Sequence, residues 1–241
     1  MPFSDEQLFH LHPQSRQMTA PAKNQVIVLQ PGYSHEDEND KTAMRANCTC
    51  TLIRCRDGQN IIVDTMTAWD GDLLQSLLRH QGLEVEDIHV VVCTHGHSDH
   101  IGCNYLFKTA RIHMVGACTS NRNLYFDHLS SGDVNEEKQL DTNGEVVVKR
   151  TPGHTLSCVS VIVQSTQLGG TVGIAGDLFE RREDVEDDSI WRNAGSEDEN
   201  SQRVERSKMS LLCDHIVPGH GPMFPLTTEM RLKLKRDAEL L

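Results

Sequence analysis

Val90-Val91-Val92-Cys93-Thr94-His95-Gly96-His97-Ser98-Asp99-His100 is an apolar run that ends in three imidazoles and one carboxylate within six residues. A buried strand stopping at such a loop aims several nitrogens and one oxygen at a single point, a ligand set suited to zinc or another borderline first-row metal. Without a metal, histidines set so closely in a loop carry desolvation and mutual repulsion. Three further candidates stand among glycines: Pro152-Gly153-His154, Ala175-Gly176-Asp177 and Pro218-Gly219-His220-Gly221. Together His95, His97, Asp99, His100, His154, Asp177 and His220 read as a two-metal hydrolytic centre. The other histidines (His10, His12, His35, His80, His89, His113, His128 and His215) read as surface or satisfied core residues.

These elements, in this order, resemble the metallo-β-lactamase superfamily over nearly the whole chain. Ile61-Ile62-Val63-Asp64-Thr65 is similar to its first motif, a strand ending in Asp, and His95, His97, Asp99 and His100 match the second. His154, Asp177 and His220 follow as the third, fourth and last. The resemblance implies an α/β fold, a single-domain four-layer αββα sandwich. It also implies His95, His97 and His154 on one metal, and Asp99, His100 and His220 on the other, with Asp177 bridging both. Asp99 and Asp177 are then the catalytic carboxylates. Asp64 is expected behind the ligands, orienting an imidazole by hydrogen bonding. Two zinc ions per chain are implied, with iron or manganese as further options.

The ligand flanks narrow the resemblance to one compact branch of the superfamily. They are Gly96-His97-Ser98-Asp99-His100-Ile101-Gly102, Ala175-Gly176-Asp177-Leu178-Phe179-Glu180-Arg181 and Val217-Pro218-Gly219-His220-Gly221-Pro222. That branch implies an endoribonuclease acting on RNA of the histone pre-mRNA class, and a homodimer. The interval from Asp177 to His220 leaves no space for the inserted domain of the β-CASP nucleases. The stretch after His220 is too short for the substrate-binding helices of glyoxalase II or for a flavin domain.

A chain of 241 residues suits one sizeable domain. Residues 1–24 are expected as a loose arm, 25–225 as the metallo-β-lactamase-like domain, and 226–241 as a terminal helix or tail. A 37% hydrophobic share and a negative mean hydropathy predict a soluble protein. No apolar run reaches the roughly 20 residues a bilayer demands, and the first residues lack the basic start and apolar core of a secretory signal. A cytoplasmic location follows, with the nucleus as a second one, and no membrane partner. The eight cysteines are scattered rather than framed, so reduced thiols are expected. Cys48 and Cys50 fall on one strand face; plain buried thiols are favoured there over a soft-metal site. The net charge of −12, with no basic block before residues 231–236, argues against strong autonomous RNA binding.

Periodicity predicts a strand over residues 25–29, an acidic loop over 34–41, and a hairpin of 47–55 with 60–64 about Asp57-Gly58. A helix is predicted over 69–81, closed by Gly82, followed by the strand 88–94 that delivers the metal loop. A helix is expected over 101–108 and a strand over 111–115. The second half predicts strands over 145–150, 158–164, 171–175 and 214–217, with a helix over 201–213. The acidic stretch 180–200 reads as a solvated loop. No repeat of fixed period is present.

Bridging hydroxide attacks phosphodiesters, thioesters and lactams alike, so the ligands leave the substrate open. No G-x-S-x-G elbow is present. The leading expectation is the endoribonuclease. The alternatives are a glyoxalase II-like hydrolase of a small-molecule thioester, a mononuclear iron persulfide dioxygenase, and a non-catalytic metal-binding module.

Overall fold

The computed structural model describes residues 20–126, 129 and 137–240. In chain order the first half folds as β1 (Gln25–Gln30), β2 (Tyr33–Glu36), β3 (Met44–Asn47), β4 (Cys50–Arg54), β5 (Asn60–Val63), α1 (Gly71–His80), β6 (Val90–Cys93), α2 (Ser98–Ile101), β7 (Ile112–Val115), β8 (Cys118–Asn121) and β9 (Leu124–Phe126). The second half supplies β10 (Glu137–Gln139), β11 (Val146–Arg150), β12 (Val159–Val163), β13 (Val172–Gly176), α3 (Ser189–Asn193), α4 (Glu199–Leu212), β14 (His215–Pro218), β15 (Phe224–Pro225) and α5 (Thr228–Glu239).

Strands β1, β4, β5, β6, β7, β8 and β9 form one sheet in that order, and β10 to β15 form a second. Alternate side chains of the two sheets meet between them: Ile53, Ile61, Val90 and Val92 from the first, and Val148, Val161, Val172 and Ile174 from the second. The other faces are covered by helices. Leu52, Ile62 and Val91 pack with Leu74 and Leu78 of α1. Ile162 and Ile216 pack with Met209 of α4 and with Met230 and Leu234 of α5. The result is a four-layer αββα sandwich in one α/β domain.

Local chemistry explains the helix limits. Leu74 and Leu78 stand one turn apart and are buried, and Asp72 opens the helix where Arg79 and His80 close it. Gly82 follows in the left-handed region at φ 74°. Asp198 caps α4, its carboxylate accepting from the amides of Asn200 and Ser201.

Three expectations are corrected. The predicted acidic loop 34–41 begins as a strand: β2 pairs with β3 from Tyr33↔Asn47 to Glu36↔Met44, because a ladder exposed on both sides tolerates charged side chains. The predicted helix 101–108 is replaced by α2 and a single 3-10 turn at Asn104–Leu106. Here the chain runs so close to residues 66–68 that a side chain on Gly102 would collide with the backbone of Thr67 and Ala68. The acidic stretch 180–200 is not a solvated loop. It holds a 3-10 turn at Arg182–Val185 and α3, and it buries Glu180, Asp184 and Trp191. Leu178, Phe179, Val185 and Trp191 supply the apolar anchors that its charges conceal.

Residues 1–19 of the expected arm lie outside the described residues. Its last residue, Asn24, is buried and donates to Glu145 and to the carbonyl of Gln164. All eight cysteines are free and seven are buried, Cys48 and Cys50 inside the α1-side core. Burial pushes both of those thiols far up, so neither is a ready thiolate ligand.

Candidate metal centre

Strand ends from both sheets converge on one rim of the sandwich. β6 runs parallel to β5 and β7, and its last residues pass directly into the metal loop. β13 and β14 are also parallel, with Gly176 opposite Pro218, so Asp177 and His220 leave the second sheet side by side. His154 lies in the turn between β11 and β12. That turn is tied to the metal loop where the Val159 amide donates to the Thr94 carbonyl at 2.9 Å. Gly219 permits the closest approach: any side chain there would occupy the place of the Asp177 carboxylate.

The ligand candidates form two sets around Asp177. His95 Nε2 lies 2.9 Å and His154 Nε2 3.1 Å from His97 Nδ1. Asp177 Oδ2 lies 3.5 Å from His95 Nε2 and 3.3 Å from His154 Nε2. A tetrahedral ion with metal–nitrogen bonds of about 2.0–2.1 Å spaces its ligand atoms roughly 3.3 Å apart, which this set approaches. On the other side, His100 Nε2 lies 3.2 Å from Asp177 Oδ1 and His220 Nε2 lies 3.3 Å from Asp177 Oδ2. Asp99 Oδ2 stands 4.0 and 3.9 Å from the same two nitrogens. The structure therefore gathers all seven sequence-predicted residues, with Asp177 facing both nitrogen sets.

These residues fit metal ions. His100 Nε2 and Asp177 Oδ1 are buried and make no hydrogen bond, although they are 3.2 Å apart. Both lone-pair atoms point into the shared space between the two sets, an arrangement that a cation satisfies. The His97 end of the loop is exposed while His95, His100, His154 and Asp177 are buried, so the site is dry at its floor and open at its rim.

On the Asp99 side, the imidazole nitrogens of His100 and His220 that face away from this space are held, whereas the buried His154 Nδ1 has no partner. His100 Nδ1 lies 3.0 Å from Asp64 Oδ2, and Asp64 also accepts from the Thr94 amide at 2.7 Å and the Thr94 hydroxyl at 3.0 Å. Asp64 reaches both from a left-handed backbone, φ 57°, one residue past β5. His220 Nδ1 lies 3.0 Å from the carbonyl oxygen of Asn47, so that nitrogen carries the proton and Nε2 is free for the site.

Electrostatics separates the two sets. Burial, aided by the neighbouring His100, holds His95 well below the ordinary imidazole range, and burial lowers His154 as well. Burial also disfavours charge on His100 and His220, but the Asp177 carboxylate overrides it. With the help of Asp64 it lifts His100 far up, and with Glu180 it pushes His220 up to about 9. Asp177, despite its burial, is held far below the carboxylate range by His100, His220 and His95. Divalent cations compete with protons for these lone pairs, so metal uptake releases protons.

Glu180 is the residue that sequence reasoning missed as part of the site. It is 3% exposed, its Oε2 lies 3.9 Å from His220 Nε2, and its Oε1 has no partner. Asp177, Glu180 and His220 form a third group able to hold an ion. Burial and the Asp177 charge push Glu180 well above the usual carboxylate range. The available signal was Leu178-Phe179, two apolar residues that draw the segment after Asp177 inward. Arg181 donates to the Ser34 carbonyl, and Trp191 is buried beneath α4 rather than in the site.

Asp64→Asn should weaken zinc binding about 10–100-fold, the usual cost of losing a partner behind a ligand. Competition with a chromophoric chelator measures this, and unchanged affinity would detach Asp64 from the centre.

A family model described as the metallo-beta-lactamase superfamily matches residues 44–220. The chain is 39% identical to metallo-beta-lactamase domain-containing protein 1 of Homo sapiens, over 85% of this chain and 83% of that protein. It is also 39% identical to the protein of the same name from Xenopus laevis, over 83% and 80% of the two chains. Among solved structures it resembles a mono-zinc metallo-beta-lactamase of Pseudomonas aeruginosa, at TM-score 0.56 and 18% identity, covering 87% of this chain and 88% of that one. It likewise resembles AiiA of B. thuringiensis, with N-decanoyl-L-homoserine bound at its active site, at TM-score 0.57 and 19% identity over 84% and 94%.

Proposed function

We propose that this chain, which belongs to the metallo-β-lactamase superfamily, is a two-zinc hydrolase that cleaves RNA phosphodiesters, with RNA of the histone pre-mRNA class as its target. The observation that supports this most is the placement of Asp177 between two sets of nitrogen ligands, under a rim open at His97. When bound, two metal ions there supply an activated water and Lewis acidity toward a phosphoryl oxygen. His95, His97, His154, Asp99, His100 and His220 hold the ions, and Asp177 is shared. Asp64 and the Asn47 carbonyl keep His100 and His220 turned toward the centre. In this reading Asp99, a half-buried carboxylate beside His100 and His220, orients the attacking water and takes its proton. The buried floor excludes bulk water, which strengthens each of these interactions.

A homodimer is proposed together with this activity. Among the described residues no helix is long and apolar enough to cross a membrane. The location proposed is cytoplasmic and nuclear, where such RNA is made and used.

The test incubates zinc-loaded protein with an end-labelled histone pre-mRNA fragment, with S-lactoylglutathione, and with a persulfide under oxygen monitoring. Internal RNA cuts that a chelator abolishes are expected. Thioester turnover without RNA cleavage, or oxygen uptake with one iron per chain, would replace the nuclease reading.

A further inference from the structure

The face of the first sheet that turns away from the inter-sheet core is only partly covered by helix. Beyond α1, residues 104–108 arch over β7 and β8 and leave a cavity of about 610 Å³, lined among others by Tyr105, Lys108, His113, Val115 and Arg122. A second cavity of about 760 Å³ shares Lys108 and Arg122 with it and adds Arg111 and Leu124. The two meet at Lys108, Ala110 and Arg122. The inner end of the first abuts the metal loop: a side-chain carbon on Gly96 would touch Val115 at 3.8 Å.

Two chemistries meet on this surface. In register across β7, β8 and β9, His113 stands opposite Ser120 and Ser120 opposite Tyr125, so the three share the outward face. Tyr125 is 73% exposed, and Tyr105, on the covering segment, is 54% exposed. Lys108 and Arg122 are exposed beside them. On a chain of net charge −12, where most lysines and arginines pair with carboxylates, Lys108, Arg111 and Arg122 have no carboxylate partner among the described residues. Among the described residues Arg111 donates to the Gln59 side-chain oxygen and the Leu140 carbonyl.

Cations that track phosphates, with flat aromatic faces between them, are what single-stranded nucleic acid takes up. We propose that this face is a single-stranded RNA groove. Lys108 and Arg122 hold backbone phosphates, and Tyr105 and Tyr125 stack on bases of the strand running from the metal loop. The assignment rests on the nuclease reading of the metal centre and names where that substrate lies. A second copy of the chain is a poorer occupant. In a two-fold pairing through the edge strand β9, the Arg122 and Lys108 of both copies would gather at one seam, and neither has a carboxylate partner among the described residues.

The experiment measures anisotropy of a short fluorescent oligouridylate with phosphorothioate linkages, on zinc-loaded full chain across a salt series. Lys108→Gln/Arg122→Gln should weaken binding at least about 10-fold and flatten the slope of log Kd against log salt by about 1.4, near 0.7 per lost phosphate contact. Tyr125→Ala should weaken binding about 10-fold with the salt slope unchanged, as lost stacking predicts. Hydrolysis of bis(p-nitrophenyl) phosphate should match the wild type in both variants. Wild-type protein that does not bind, or variants that bind with wild-type affinity and slope, would overturn the groove. So would variants that turn a dimer into a monomer while RNA binding stays intact. Cleavage of ordinary RNA by the same wild-type sample judges the nuclease separately: groove-dependent binding without any cleavage would keep the groove and remove the nuclease.

Discussion

Asp177→Ala, reconstituted with zinc, should hydrolyse phosphodiesters at least on the order of 10³-fold more slowly than the wild type, a loss at the upper end of what one transition-state contact supplies. Both carboxylate oxygens face imidazole nitrogens, Oδ1 at His100 and Oδ2 at His95, His154 and His220, so one substitution disturbs both ligand sets. It also removes the main anion that lifts His100 and His220, leaving Asp64 beside the first and Asp99 and Glu180 beside the second. Zinc stoichiometry should fall together with rate, and mass spectrometry under native conditions reads it directly. Asp177→Asn separates the effects: it keeps shape and one oxygen but loses charge, and should bind zinc better than the alanine variant while staying slow. Wild-type rate with full zinc in Asp177→Ala would dismiss the two-set arrangement altogether.

Asp184→Ala should destabilise the fold by about 3–5 kcal/mol, the cost of leaving a buried charge without its partner. Asp184 and Arg206 are 0% and 2% exposed and paired through two bonds, of 2.7 and 3.0 Å. The same guanidinium donates to the Leu178 carbonyl and lies over the Phe179 ring at 4.2 Å, while Asp184 accepts from the Glu180 amide. This clamp therefore anchors the segment that carries Asp177 and Glu180 onto α4. Thermal unfolding should drop by roughly 6–20 °C, from about 2–4 °C per kcal/mol for a chain of this size. The paired replacement Asp184→Leu/Arg206→Met should recover much of that loss, since no unpaired charge remains. By contrast Arg192→Ala, which opens the exposed pair with Glu199, should cost at most about 1 kcal/mol. A drop below about 2 °C in Asp184→Ala would show that the clamp does not hold the loop.

How much was legible beforehand follows from how local each signal is. The strand 88–94 and its loop were readable because β6 is wholly apolar and the ligands follow it without interruption. Helix α1 was readable from leucines one turn apart and from the closing Gly82. Where these segments were misread, their own composition pointed to solvent while their partners lay in another segment of the chain. β2 depends on β3, and the 180–200 segment depends on Arg206.

Ligand identity in this chain is carried by residue type and short spacing, because imidazole and carboxylate chemistry does not depend on what lies across the sheet. The sequence therefore offers seven candidate ligands, four of them at short spacing, and its resemblance to the superfamily implies the α/β sandwich. Packing assigns the rest: that Asp177 faces both nitrogen sets, that Glu180 is buried behind His220, and that Asp64 props His100. It also brings Tyr105, Lys108 and Arg122 to one face beside the metal loop. Those placements come from the parallel register of β13 with β14 and of β5 with β6. Such pairings join residues that are distant along the chain, and their geometry is set by burying two sheets against each other rather than by any local pattern.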